Sequence, residues 1–128
     1  MSDFTWEFEL TITIYGIKNC DTMKKARAWL ERHGITYDFH DYKARGLERA
    51  RLERWCRELG WEALLNRSGT TFRKLPEREK ETLDAGKATE LMLTQPSMIR
   101  RPVLDVGARL IVGFKPELYE DALLVPPM

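Results

Sequence analysis

The sequence predicts a mixed α/β fold with the element order βαβ, a helical insert, and then ββα. Three observations carry this prediction: short strand patterns at the two ends of the chain, a helical pattern between the first two strands, and a purely helical middle block. Because strand, helix and strand follow one another within about 30 residues, the first two strands are predicted to be parallel.

The first three elements have the most regular patterns. Residues 10–15 (LTITIY) are rich in β-branched side chains and alternate, which predicts a strand. Residues 21–33 predict a helix that ends at Gly34. Residues 35–42 (ITYDFHDY) predict the second strand, and KARG at 43–46 predicts a turn. The apolar face of the predicted helix consists of Ala26, Trp29, Leu30 and His33.

The middle of the chain, at about 46–96, is predicted to be a helical insertion packed on the sheet. Its longest helix, at 47–59, has an apolar face formed by Leu52, Trp55, Cys56 and Leu59. Shorter helical pieces follow at 62–65, 77–83 and 87–95, and the run NRSGTTFRKLP between the first two reads as a connection.

The last part of the chain predicts a hairpin followed by a helix. Residues 101–114 form two strand patterns about a turn at 106–108, and Pro116 begins the closing helix. We therefore expect one domain over 11–124, with an N-terminal extension at 1–10 and a C-terminal tail at 125–128.

Composition excludes several classes of function. The chain has 128 residues, 43% of them apolar and 32% charged, with a formal net charge of +1. This charge offers no global field for nucleic acid or an anionic membrane. No apolar run approaches the roughly 20 residues of a membrane span, and the first ten residues lack the pattern of a secretory signal. We expect a cytoplasmic protein, and its mixed surface charge favours a monomer.

Cys20 is the candidate nucleophile. It stands at the predicted N-cap of the first helix, where unpaired N–H groups and the helix dipole favour an anion. Lys18 and Lys24 add positive charge, while Asp21 opposes the thiolate and is partly neutralised by Lys25, four residues further on. These features favour a lowered pKa for the thiol. The alternative is that Cys20 is only a small residue tolerated at a helix start.

The remaining candidates complete a single-thiol site. Cys56 lies on an apolar helix face and is predicted to be a core residue, with resolution of an intermediate on Cys20 as the alternative. An active thiol without an internal partner needs an external one, and glutathione is the abundant cytosolic candidate. Arg67 and Arg101 are suited to hold anionic groups. His33 and His40 stand apart from any Cys or acidic cluster, so no metal site is predicted.

Three separated segments resemble the ArsC family of arsenate reductases, most closely its YffB branch, which is related to Spx-type regulators. They are TITIYGIKNCDTMKKARAWLERHGI, ALLNRSGTTFRKL and RRPVLDVGARLIVGFKPE, and the likeness spans about 11–124. The resemblance implies a thioredoxin-like fold with a helical insertion. It also implies that Cys20 is the active thiol, that Arg101–Pro102 is a cis-proline junction, and that the activity is glutathione-dependent thiol reduction.

The resemblance leaves two alternative functions. Arsenate reductases coupled to glutathione and glutaredoxin carry a His where Gly16 stands, an Arg where Asn66 stands next to Arg67, and a last Arg that aligns with Lys115. Spx-type regulators typically carry a second cysteine at the place of Met23, so a non-catalytic adaptor is the other alternative. In the thiol reductase, Arg67 and Arg101 would hold anionic groups, and Pro102 would present backbone to a peptide-like ligand.

Overall fold

A four-stranded mixed sheet lies at the centre of the protein. The computed structural model describes residues 11–124. Its strands are β1 (Thr13–Gly16), β2 (Asp38–Asp41), β3 (Val103–Asp105) and β4 (Leu110–Val112), in the spatial order β2-β1-β3-β4. β1 and β2 are parallel, as predicted, whereas β3 is antiparallel to both β1 and β4. This topology confirms the thioredoxin-like fold.

Eight α-helices connect and cover the strands in the described part of the chain. They are α1 (Asp21–Arg32), α2 (Tyr42–Arg45), α3 (Arg49–Leu59), α4 (Trp61–Leu64), α5 (Thr70–Arg73), α6 (Glu77–Glu81), α7 (Ala85–Thr94) and α8 (Pro116–Leu123). A 3-10 turn at Pro96–Met98 leads from α7 towards β3. Gly34 follows the C-cap of α1 with φ +67°, so the predicted helix stop is confirmed.

Each face of the sheet carries its own hydrophobic core. Because side chains alternate along a strand, Ile14 and Leu104 lie on one face, and Tyr15 and Val103 lie on the other. Helices α1 and α8 cover the first face. The helical insertion covers the second, where the fully buried Trp55 of α3 packs edge-on against Tyr15 with ring centroids 4.9 Å apart.

Two local predictions were wrong. The predicted turn at 43–46 is the short helix α2, which the side chain of Asp41 caps by accepting hydrogen bonds from two backbone N–H groups. The predicted connection at 66–76 contains helix α5, which buries Phe72 in the core of the insertion. Each helix is only four residues long, too short for helical periodicity to show in the sequence.

One ion pair ties the insertion to the β3–β4 hairpin. Asp105 is 8% exposed, and its carboxylate accepts hydrogen bonds from the backbone N–H of Gly107 at 2.8 Å and from Arg54 of α3 at 3.1 Å. Arg54 also donates to the carbonyl of Gly107 at 3.2 Å. Gly107 has φ +92°, a conformation that glycine adopts readily in a tight turn. The hairpin turn therefore lies where it was predicted, and hydrogen bonds with the side chains of Asp105 and Arg54 stabilise it.

The predicted extension at 1–10 and tail at 125–128 lie outside the described residues. Within 11–124, the helices are too short and too polar for any of them to cross a membrane.

Candidate active site

Cys20 lies at the N-terminus of α1, at the sheet end where β1 finishes. It is the N-cap residue of α1, with extended backbone (φ −139°, ψ 128°), and its carbonyl accepts the first helical hydrogen bond from Lys24 N–H at 3.0 Å. Its side chain makes no capping hydrogen bond. The residue is half-buried and packs against the core between α1 and the sheet. The predicted position at a helix start is thus found.

The surroundings of Cys20 lower the pKa of its thiol. Partial burial raises the pKa of the thiol, but this effect is outweighed by the neighbouring backbone N–H groups of Met23 and Thr22 and by the positive charge of the Arg101 guanidinium. Lys18 and Lys24 are both exposed and are not among the groups that lower this pKa. The positive charge that lowers the pKa of Cys20 therefore comes from Arg101, just before the neighbouring strand β3, and not from the lysines near Cys20 in sequence.

Arg101 reaches the site from the chain segment that precedes β3. The Arg101–Pro102 peptide is cis, as the resemblance implied. The Arg101 guanidinium donates to the carbonyl of Ser97 at 2.9 Å, and its Nε is buried without a hydrogen-bond partner among residues 11–124. Proximity to the Cys20 thiol helps to raise the pKa of Arg101 despite burial, so the guanidinium is charged throughout the working pH range. Arg101 can therefore neutralise a thiolate at Cys20.

Tyr42 is a site residue that sequence reasoning missed. It is the first residue of α2, is 1% exposed, and follows Asp41, which pairs with Gly16 at the end of β1. Burial raises the pKa of its phenol well above the ordinary value, and the nearby Arg101 only partly opposes this. The sequence placed Tyr42 at the end of a strand. Only the pairing of the strands shows that it stands next to the thiol.

Two other predicted site residues, Lys115 and Arg67, lie at the surface. Lys115 is the exposed N-cap of α8, and two residues before it the N–H of Gly113 donates to the carbonyl of Pro102 at 2.8 Å. Lys115 therefore lies at the same sheet end as Pro102. Arg67 is exposed, with its guanidinium 5.3 Å from the ring centroid of Trp61, and it is not among the groups that shift the pKa of Cys20.

Met23 occupies the place of a second cysteine and is fully buried. Its sulfur and terminal methyl fill the space beside Gly16, where a Cβ would collide with Sδ and lie 2.9 Å from Cε. Because Gly16 ends β1, this contact packs the start of α1 directly onto the sheet. The side chain at position 23 is therefore part of the core and is not available to Cys20.

We expect Gly16→Ala to lower the free energy of unfolding by about 1 kcal/mol, because a fully buried Met23 must move to admit the new methyl group. Urea denaturation measures this. Gly86→Ala in α7 is the matched control, since its Cβ would meet nothing closer than 3.7 Å, and the gain in helix propensity should stabilise the protein. A Gly16→Ala variant as stable as the wild type would contradict the tight packing.

Cys56 lies on the other side of the sheet from Cys20. It packs against the core of the insertion, whereas Cys20 packs against the core under α1. Burial raises the pKa of the Cys56 thiol, and the Thr89 hydroxyl 3.8 Å from its sulfur only partly offsets this. Both cysteines are free. This arrangement favours a core role for Cys56 and separates it from chemistry at Cys20.

Comparison with known proteins identifies the family. A family model described as the ArsC family matches residues 15–122. The chain belongs to the ArsC family. The solved YffB protein is 64% identical, covers 88% of this chain and 99% of its own, and superposes with a TM-score of 0.86. The ArsC-family assignment confirms the resemblance seen in the sequence, including the YffB branch.

Other relatives of this ArsC-family chain carry different descriptions. An arsenate reductase (ArsC) related protein from Brucella melitensis is 59% identical, covers 91% of this chain and 97% of its own, and has a TM-score of 0.72. The global transcriptional regulator Spx of Listeria innocua is 30% identical over 80% of this chain and 79% of its own. The family thus groups thiol-based reductases with regulators.

Proposed function

We propose that this ArsC-family protein is a glutathione-dependent thiol–disulfide oxidoreductase that acts through the single thiol of Cys20. The observation that carries the proposal is the environment of that thiol. The N-terminus of α1 and Arg101 both stabilise its thiolate, while Met23 is buried in the position of a resolving cysteine. A thiolate with no internal partner must complete its cycle with an external thiol, and glutathione supplies one.

The reaction has two thiol–disulfide exchange steps. In the first, the Cys20 thiolate attacks the glutathione sulfur of a mixed disulfide R–S–S–G. The Cys20–glutathione disulfide forms, the original S–S bond breaks, and R–S⁻ leaves and takes a proton from solvent. In the second, a glutathione thiolate attacks the glutathione sulfur bound to Cys20. Oxidised glutathione leaves and the Cys20 thiolate is restored. In total, one glutathione thiol is consumed, R–S–S–G is converted to the free thiol, and the substrate's glutathionyl group leaves in oxidised glutathione.

Arg101 serves both steps in this proposal. Its charge would stabilise the thiolate that attacks first and leaves last, and would attract an anionic group of the ligand. Proline has no N–H, and the Pro102 carbonyl already accepts from Gly113. Backbone hydrogen bonds to a peptide-like ligand would therefore come from Arg101. Arg67 and Lys115 would act at longer range on the carboxylates of glutathione.

The test is to follow glutathione on the protein itself. Incubation with oxidised glutathione, followed by mass spectrometry of peptides, should show one glutathione adduct on Cys20 and none on Cys56. Addition of reduced glutathione should release it. Cys56→Ala is the matched control and should keep both adduct formation and release. An adduct confined to Cys56, or loss of turnover in Cys56→Ala, would refute the single-thiol cycle.

Arsenate reduction is the competing activity, and one observation bears on it. The arsenate reductases that this chain resembles carry an Arg at the place of Asn66. Here the side-chain oxygen of Asn66 accepts hydrogen bonds from the backbone N–H and the hydroxyl of Ser68, both at 3.2 Å. It therefore holds its own loop. We expect no arsenate-dependent NADPH oxidation above a Cys20→Ser control when glutathione, glutaredoxin and glutathione reductase are supplied.

A further inference from the structure

Tyr42 and Arg101 are anchored to the same short segment of chain. The Tyr42 hydroxyl donates a long hydrogen bond of 3.4 Å to the carbonyl of Ile99, and the Arg101 guanidinium donates to the carbonyl of Ser97 at 2.9 Å. This segment is itself held in place, because the N–H of Arg100 donates to the carbonyl of Leu64 at 2.7 Å. The phenol and the guanidinium thus share one fixed backbone support.

The guanidinium acts electrostatically on both a phenol and a thiol. Arg101 helps to lower the pKa of the Cys20 thiol, and it partly opposes the rise in the pKa of the Tyr42 phenol. The phenol stays neutral because burial raises its pKa far above physiological pH. Its hydroxyl hydrogen therefore stays available to the carbonyl of Ile99, two residues before Arg101.

We infer that Tyr42 is a positioning residue: its buried hydroxyl fixes the backbone segment from Ser97 to Arg101, and through that segment it positions the Arg101 guanidinium towards the sulfur of Cys20. Arginine has a long side chain that loses rotamer freedom when its guanidinium is fixed in one place. The Tyr42 hydroxyl, 1% exposed, donates to the Ile99 carbonyl and so fixes the backbone that carries both Arg101 and its Ser97 acceptor, which reduces the freedom still to be lost. The inference rests on Cys20 being the reactive thiol, as in the proposed function, and does not depend on glutathione.

The test is the pH profile of Cys20 alkylation by iodoacetamide in a Cys56→Ala background, where Cys20 is the single thiol. In Tyr42→Phe, the ring still fills the buried site but the hydroxyl is gone. We expect the profile to move to higher pH and the alkylation rate at pH values below the unsubstituted protein's midpoint to fall by about 3- to 10-fold, as a rise of half to one pKa unit gives.

Tyr119→Phe is the matched control. Tyr119 is also fully buried with a raised phenol pKa, but it belongs to α8 and packs against Trp29 of α1. Its hydroxyl has no hydrogen-bond partner in the described part of the chain. Its removal should leave the alkylation profile unchanged. In an Arg101→Gln background, Tyr42→Phe should cause no further shift, because its effect passes through the guanidinium.

Three results would overturn the inference. They are an unchanged profile in folded Tyr42→Phe, an equal shift in Tyr119→Phe, and a Tyr42→Phe effect that persists without Arg101. If the Tyr42→Phe variant fails to fold, the inference is tested instead on the protein that keeps both tyrosines. In its NMR spectrum the Tyr42 ring signals should titrate with the midpoint of Cys20 alkylation, while those of Tyr119 stay constant. A Tyr42 signal that ignores this midpoint would also overturn the inference.

Discussion

Cys20→Ser should abolish turnover of glutathione mixed disulfides, with a loss of roughly 10³-fold or more, because a serine hydroxyl does not ionise near neutral pH and cannot form the mixed disulfide. The measurement is NADPH oxidation coupled through glutathione reductase. Serine is a preferred N-cap residue, so the variant should remain folded and the loss should reflect chemistry. Turnover within about tenfold of the wild type would mean that another group carries the reaction.

The same variant tests the thiolate through stability. The folded state lowers the pKa of Cys20, so thiolate formation favours folding. This contribution is fully present above the unfolded pKa of about 8.5 and is lost as pH falls through the folded pKa. Relative to Cys20→Ser, the free energy of unfolding of the wild type should therefore increase as the pH rises from 5 to 9. Urea denaturation at each pH measures this difference. A difference between the two proteins that does not change with pH would contradict the lowered pKa.

Trp55→Ala should be the most destabilising single change in the insertion, costing about 3–5 kcal/mol. Trp55 is fully buried, packs on Tyr15 of the central strand, and links α3 to the sheet. Since total stability is typically about 5–15 kcal/mol, the variant should lose much of its cooperative unfolding transition. Thermal and urea unfolding followed by far-UV circular dichroism would measure the change.

Trp55→Phe is the matched control for that prediction. Its indole N–H finds no hydrogen-bond partner within residues 11–124, so phenylalanine removes an unpaired donor along with part of the ring. The loss should be well below that of alanine. If Trp55→Ala unfolds like the wild type, the insertion does not depend on this contact with the sheet.

The elements that were predicted correctly are those whose patterns are local. The β-branched run before Gly16, the periodic face of α1 and the glycine of the hairpin turn each depend on neighbours in sequence, and all three are found. The helices α2 and α5 were missed because four residues are too few for periodicity to show. Their existence depends on a cap by Asp41 and on burial of Phe72.

The active centre also has one part that follows from local sequence and one that depends on the tertiary structure. The sequence by itself determined that Cys20 stands at a helix start, because a strand pattern, a break and a helical pattern follow one another there. Which charge stabilises the thiolate was decided by the tertiary structure. Lysines near in sequence point into solvent, while Arg101, 81 positions away, is brought to the sulfur by the antiparallel pairing of β1 with β3.

The positions of Met23 and Tyr42 relative to Cys20 were also decided by the tertiary structure. Met23 is buried because α1 packs onto Gly16, and Tyr42 reaches the site because β2 ends beside β1. The physical reason is that electrostatic and packing energies depend on distance in space. Only strand register and helix packing fix the distances between residues that are far apart in the chain.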